Sequence, residues 1–357
     1  MKKALFIKKG LLSLILLSMI SCLDQPSRPI GPDDIVIYPQ PPGKTRIQYL
    51  TSISTSSDFE GEQSKLDKFL IGEKTPLSIV KPYGVTVNGS KIYICDTGTR
   101  GLVILNMEDQ SFNVFRPGGK GQLQMPFNCD LDYEGRLYIA DGNRRQVVIF
   151  DKELNYLNEL SLKDNAKPTD VKVDSTFIYV SASDKHRIEV YNRSDLSLKT
   201  IFPKAGSDQK EYLYQPLNIE LDKDYVYVSD IGDCSVKVFD KNSKLKNSFG
   251  SPGNSLGQFT RPKGISADKD GNIYVVDAAF ENVQIFNSTG DLLLYFGGTY
   301  TGPGGMWLPA DVTIDYNNLE YFSKYVDPAF KLEYLIYVSN QYGPDKLSIY
   351  GFVGLTE

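Results

Sequence analysis

From about residue 80 onward the chain alternates apolar and polar positions in short runs, and each run starts on a proline. KPYGVTV, MPFNCDLD, KPTDVKVD, QPLNIELD, RPKGISAD and LPADVTID are apolar at every second place after the proline region, which is the period of a strand with one buried face. A turn and a second strand with a central aromatic follow in every copy: KIYICD, RLYIAD, FIYVSA, YVYVSD, NIYVVD and LIYVSN. Then comes a third strand, such as GLVILN or QVVIFD. Most copies offer a fourth, at Phe112 to Phe115, Leu196 to Phe202 or Leu292 to Phe296, before a glycine-rich return to the next proline.

The prolines stand at 82, 126, 168, 216, 262 and 309, which makes six copies. A four-stranded antiparallel unit buries both faces only against neighbours, and closing such units into a ring leaves no bare end. The pattern therefore predicts an all-β, six-bladed β-propeller with four-stranded antiparallel blades. The last copy runs out near Gly354 after three strands. Arg46 to Ile53, RIQYLTSI, is the predicted outer strand of the sixth blade, so that an N-terminal strand closes the ring and no edge is left open.

The proline, the G/D-V-x-V-D strand, (I/V)Y(I/V)xD, a turn with Arg, (V/I)x(V/I)F(D/N), and the returns GGKGQLQMP and SPGNSLGQFTRP together resemble the NHL repeat, from about residue 46 to 354. The resemblance implies an NHL-type propeller and says little about a ligand. Copy three departs from it, with Ala182 where four other copies have Asp. Copy six departs too, with Asn340 at that place and an insertion, YNNLEYFSKYVDPAFKLEY, from Tyr316 to Tyr334. Breaks in a regular repeat are where function is to be sought.

Upstream of the repeats, MKKALFIKKG leads into an apolar run from Leu11 to Ile20, the layout of an export signal. The run is too short to span a bilayer as a permanent helix. Met19-Ile20-Ser21-Cys22 resembles the lipobox of bacterial lipoproteins, which implies cleavage before Cys22 and lipidation of Cys22 with palmitate-type chains. An ordinary cleaved signal or an uncleaved anchor is the alternative. Leu23 after the cysteine points to outer-membrane sorting, and Asp24 works against it. Prolines at 26, 29, 32, 39, 41 and 42 make residues 22–45 a polyproline-rich tether or, on the other reading, a tail of no set reach. The expected organisation is a signal peptide at 1–21, a lipidated tether at 22–45 and the propeller at 46–357, held by lipid in a bacterial cell envelope and facing the periplasm or the surface.

Net charge is −5, which argues against nucleic acid and against anionic headgroups, leaving the lipid as the sole membrane contact. Beyond Cys22 the cysteines are Cys95, Cys129 and Cys234. Cys95 and Cys129 fall at small core positions of the repeat, and a disulfide between them stays open. The only histidine is His186, in a turn, so a zinc site of several histidines is excluded and a nucleophile paired with histidine would have to use this turn residue. C-x-x-C-H is absent, and with it c-type haem. His186 aligns with Arg100 and Arg145, and a basic rim of Arg100, Arg144, Arg145, Lys185 and Arg187 would suit an acidic partner.

The innermost strands should face the central channel with the residues two and four after each proline. These are Gly84, Asn128, Asp170, Asn218, Gly264 and Asp311, then Thr86, Asp130, Lys172, Glu220, Ser266 and Thr313. Asn128, Asp170, Asn218, Glu220 and Asp311 form a set of oxygen donors of the kind calcium takes. Paraoxonase and gluconolactonase propellers hold calcium in this way, whereas ordinary channel side chains bond within and between blades. Lys172 would weaken a cation site. The insertion offers Tyr321, Phe322, Tyr325 and Phe330, either as a partner-binding surface or as rings folded in on themselves. The expected function is an exported scaffold of a single propeller, with no cofactor, binding another exported protein or a polysaccharide through one face. The alternative is a calcium-dependent hydrolase or lyase at the channel mouth.

Overall fold

The computed structural model describes residues 35–61, 63, 69, 70, 72 and 75–356. Cys22, the expected signal peptide and most of the expected tether lie outside the described residues. Each proline-led run is the innermost strand of a blade: Pro82–Asn88, Pro126–Leu131, Pro168–Val173, Pro216–Leu221, Pro262–Ala267 and Pro309–Asp315. The blades are numbered one to six in that order. Every innermost strand packs against the innermost strands of the blades before and after it, and that of blade six packs against that of blade one. The ring is a six-bladed propeller with antiparallel blades.

Six apolar clusters fill the seams between neighbouring blades, which is why a blade cannot fold alone. Ile92, Ile94, Val103 and Leu105 of blade one share a cluster with Leu335, Tyr337, Leu347 and Ile349 of blade six. Closure is by the N-terminal strand, Ile47–Ile53, which pairs antiparallel with Leu347–Leu355. Blade six then takes a fifth strand, Ile37–Tyr38, paired with Gln48 and Ile47. Of residues 35–45, read from their prolines as the end of a spacer, Ile37–Tyr38 thus joins the sheet and 39–45 turn back into its partner strand. The physical reason is local: Val36 and Tyr38 pack on the seam of blades five and six, and the Tyr38 hydroxyl donates to the Gly304 carbonyl at 3.0 Å.

Two devices recur at the ends of the second strand. At its start, the central tyrosine reaches back to the carboxylate of the preceding turn: Tyr138 to Asp132 at 3.0 Å, Tyr227 to Asp222 at 2.6 Å, Tyr337 to Asp315 at 3.1 Å. A buried phenol needs such an acceptor. At its end, the turn places Arg100, Arg145, His186, Cys234 and Glu281 in the left-handed region, with φ of 54 to 59°. The sequence alignment of His186 with the two arginines is therefore a backbone equivalence.

Candidate functional site

Each innermost strand shifts register against the second strand just after its proline. A bulge of this kind re-aims side chains, and here it sends two sets toward the axis. The residues two and four after the proline form the channel wall. The residues one before and one after it form the mouth.

The wall binds itself. Asp311 of blade six accepts from the Val85 amide of blade one at 3.0 Å and from the Asn128 side chain of blade two at 3.2 Å. Asp170 accepts from the Ile219 amide of blade four at 2.7 Å, and Asp130 from the Val173 amide of blade three at 2.8 Å. Lys172 lies 3.2 Å from Glu220. Burial pushes the Asp311 carboxyl up to about 7 and that of Asp130 to about 6, and it raises Asp170 well above the carboxylate range. Burial also pulls on the Lys172 ammonium, but Glu220 and Asp130 outweigh it and hold the charge. Asn218 stands apart: it is buried, and neither atom of its side-chain amide has a partner among the described residues. Of the five residues read as calcium donors, Asp170, Asp311 and Asn128 accept from backbone amides, Glu220 accepts from the Leu221 amide and pairs with Lys172, and Asn128 turns its N–H toward Asp311, so Asn218 alone keeps a free oxygen among the described residues. Among the described residues no group of three or more His, Cys, Asp or Glu is arranged to hold a metal ion.

The mouth is different in kind. It is a cavity of about 290 Å³ lined by Lys81, Tyr83, Phe127, Leu217, Arg261 and Lys263, among others. Its backbone is fixed by the aspartate that ends each second strand. Asp96 takes the amides of Val80 and Lys81, and Asp277 those of Thr260 and Arg261, at 2.6 to 3.1 Å. Asp141 and Asp230 do the same for Gln124 with Met125 and for Tyr214 with Gln215. Where copy three has Ala182, Asp184 takes the Lys167 amide instead. The mouth residues are therefore presented by a rigid collar, and the collar carboxylates are spent on N–H groups.

Tyr83 and Phe127 meet edge to face, with centroids 5.1 Å apart. Lys263 and Lys167 sit over them, each 5.1 Å from a ring centroid. Lys263 is only 3% exposed. Burial, with Arg261 and Lys81 beside it, pushes its ammonium down to about 8. Among the described residues no carboxylate pairs with Lys81, Lys167, Arg261 or Lys263. Three residues of the basic rim singled out in the sequence are paired, Arg144 with Glu159, Arg145 with Asp184, and Arg187 with Glu189 and Asp164, whereas Arg100 and Lys185 have no carboxylate partner among the described residues. Sequence reasoning missed the mouth. The signal was there in the residues flanking the prolines, K-P-Y, M-P-F, K-P-T, Q-P-L and R-P-K, but strict alternation assigns only one side of a strand to the axis.

The insertion leaves blade six at the end of its innermost strand away from the prolines. Its rings are largely used within the fold: Phe322 is fully buried against Tyr337, and Tyr321 packs on Phe59. Tyr325 is partly exposed, its carbonyl accepting from Gln48, and Phe330 begins the second strand opposite Leu355. Cys95 and Cys129 are buried free thiols. His186 stacks on Tyr212, and its ring lies against the Tyr214 carbonyl.

No family model matches the chain. Solved structures share the fold. Virginiamycin B lyase from Staphylococcus aureus superposes with a TM-score of 0.51 at 14% identity, over 76% of this chain and 81% of that one. A protein of unknown function from Bacteroides thetaiotaomicron gives 0.58 at 14% identity, over 85% and 75%. A gluconolactonase from Xanthomonas campestris gives 0.57 at 14% identity, over 92% and 99%. At such identities the likeness is one of architecture, on which unrelated activities are built.

Proposed function

We propose that this chain is an exported, lipid-anchored binding protein of NHL type, and that its ligand sits in the mouth where the repeat prolines converge. One observation carries the reading: Lys81, Arg261 and Lys263 face one aromatic-floored cavity without a carboxylate partner among the described residues. A concave site with a few convergent polar groups is the usual form of a binding pocket. Charge kept unpaired in such a place is an invitation to an acidic ligand. The partner is an exported protein or a polysaccharide of the cell envelope.

A photo-crosslinking residue placed at Tyr342, beside Lys81 at the mouth, tests this in native membranes against one at Tyr133, in the turn at the far end of the innermost strands. Adducts from 342 in excess of 133 are the expected result. Equal yields, or adducts from 133 alone, overturn it. Cys22→Ser tests the anchor separately and should move the protein out of the membrane fraction.

A second reading, a calcium-dependent hydrolase or lyase, draws on fold neighbours that are a lyase and a gluconolactonase. It requires calcium to raise the melting temperature. We expect no shift at millimolar calcium, since the wall carboxylates are engaged by backbone amides.

A further inference from the structure

Resting on the mouth as the binding site, we propose that its ligand is a uronic acid residue of a polysaccharide: Lys263 and Arg261 hold the carboxylate, and Tyr83 and Phe127 face the sugar ring.

The anion follows from the cations. Lys263 is nearly buried and lines the cavity, and among the described residues its ammonium has no hydrogen-bond or ion-pair partner, only the face of Tyr83 at 5.1 Å. An anion is the ligand such an ammonium binds best, because a hydrogen bond between two charged groups is the stronger kind. Its depressed ammonium pKa agrees with a charge still lacking its partner.

The sugar follows from what else the mouth offers. A peptide added as a strand is held chiefly through main-chain hydrogen bonds, and the collar aspartates have already taken the amides of Val80, Lys81, Gln124, Met125, Tyr214, Gln215, Thr260 and Arg261. What remains are side chains. The side-chain amides of Gln215 and Gln341, both residues that line the cavity, have no protein partner among the described residues, so they are available to hydroxyl groups. Ring faces supply the rest of the surface.

The polymer follows from the rim. The Lys81 ammonium lies 5.1 Å from the ring of Tyr342. The Tyr342 amide donates to the Trp307 carbonyl, and Trp307 stacks on Tyr300. Tyr342 and Trp307 are 46% and 50% exposed. These plates lie outside a cavity sized for one ring, where the adjoining residues of a chain would rest.

Trp307 is the only tryptophan of the protein, so its fluorescence reports on the rim directly. The test titrates the mature lipoprotein in detergent with trigalacturonate, its methyl ester, a poly-glutamate peptide and inorganic phosphate, with calorimetry in parallel. Trigalacturonate should bind and change the Trp307 emission. The ester should bind at least roughly tenfold more weakly, and Lys263→Met should weaken the uronate by roughly 10- to 100-fold. Removing a buried charge does not threaten the fold, and Tyr83→Leu provides a second variant with the same expectation. Equal binding of the ester, the peptide or phosphate overturns the uronate while keeping the mouth as the site. Uronate binding that neither variant alters, or no binding of uronate at all, overturns the proposal, and the yields from Tyr342 and Tyr133 then decide independently whether this face binds anything.

Discussion

Asp277 and Asp311 carry the same side chain into opposite situations. Asp277 is held by four amides, those of Thr260, Arg261, Ala279 and Phe280, and builds the collar. Asp311 lies on the axis, and burial raises its carboxyl from 3.8 to about 7. The fold therefore keeps a proton there that the unfolded chain has lost, and this group's contribution to stability falls as pH rises from about 4 to about 7. Asp311→Ala, which leaves the Val85 amide unpartnered, should cost about 1–3 kcal/mol. In urea titrations the loss should be larger at pH 5 than at pH 8, where the native carboxylate bears its own desolvation. Lys263 has the opposite sign. Its ammonium falls from 10.5 to about 8, so the charge is unfavourable below pH 8 and the penalty fades as pH rises through 8 to 10.5. Lys263→Met should stabilise the unliganded protein at pH 7 by roughly 1–3 kcal/mol, with the difference closing by about pH 10.5. A melting series across that range checks it.

At the scale of the element, the innermost strand shows how much of the site was legible. Its proline, its alternation and the polar wall from Asn128 to Asp311 could be counted from sequence, as could the presence of Lys172 among the carboxylates. The register shift after the proline could not, because a bulge depends on pairing with the second strand. That shift is what turns Tyr83, Phe127 and Lys263 toward the axis. Two wall glycines were legible only as gaps in a polar ring. In the fold they are close approaches: a Cβ at Gly84 would stand 2.1 Å from Asn128 Oδ1, and one at Gly264 would stand 2.4 Å from the Asp311 Cα. The side chains of the next blade occupy the space. Gly264→Ala, whose clash is with backbone, should destabilise by about 1–3 kcal/mol or more, read as a lower midpoint in urea. The insertion was legible as a break, but its rings are drawn inward by the seam between blades six and one, which no local pattern reveals.

For the whole molecule, the ring was readable because the same unit recurs six times and each copy lacks a partner for its faces. The closing strand was readable because one blade came up short. The fifth strand of blade six was not, since two residues of sheet leave no periodicity. Closure makes truncation asymmetric. Removing residues up to Pro42 takes away the pair Ile37–Tyr38 alone and should lower the melting temperature by a few degrees, about 1 kcal/mol or less. Removing residues up to Ser54 takes the whole partner of Leu347–Leu355, bares two seams and should abolish a cooperative melt.

That closing strand also fixes where mechanical load enters. Tension arriving from the N-terminal side reaches the folded part first at Ile37–Tyr38 and next at Ile47–Ile53, both at the outer edge of blade six. The same blade contributes Gln341 and Tyr342 to the neighbourhood of the mouth. A pull from that side and the grip on the proposed ligand thus bear on one blade, so the point where the ring would yield under load is also a wall of the proposed binding site.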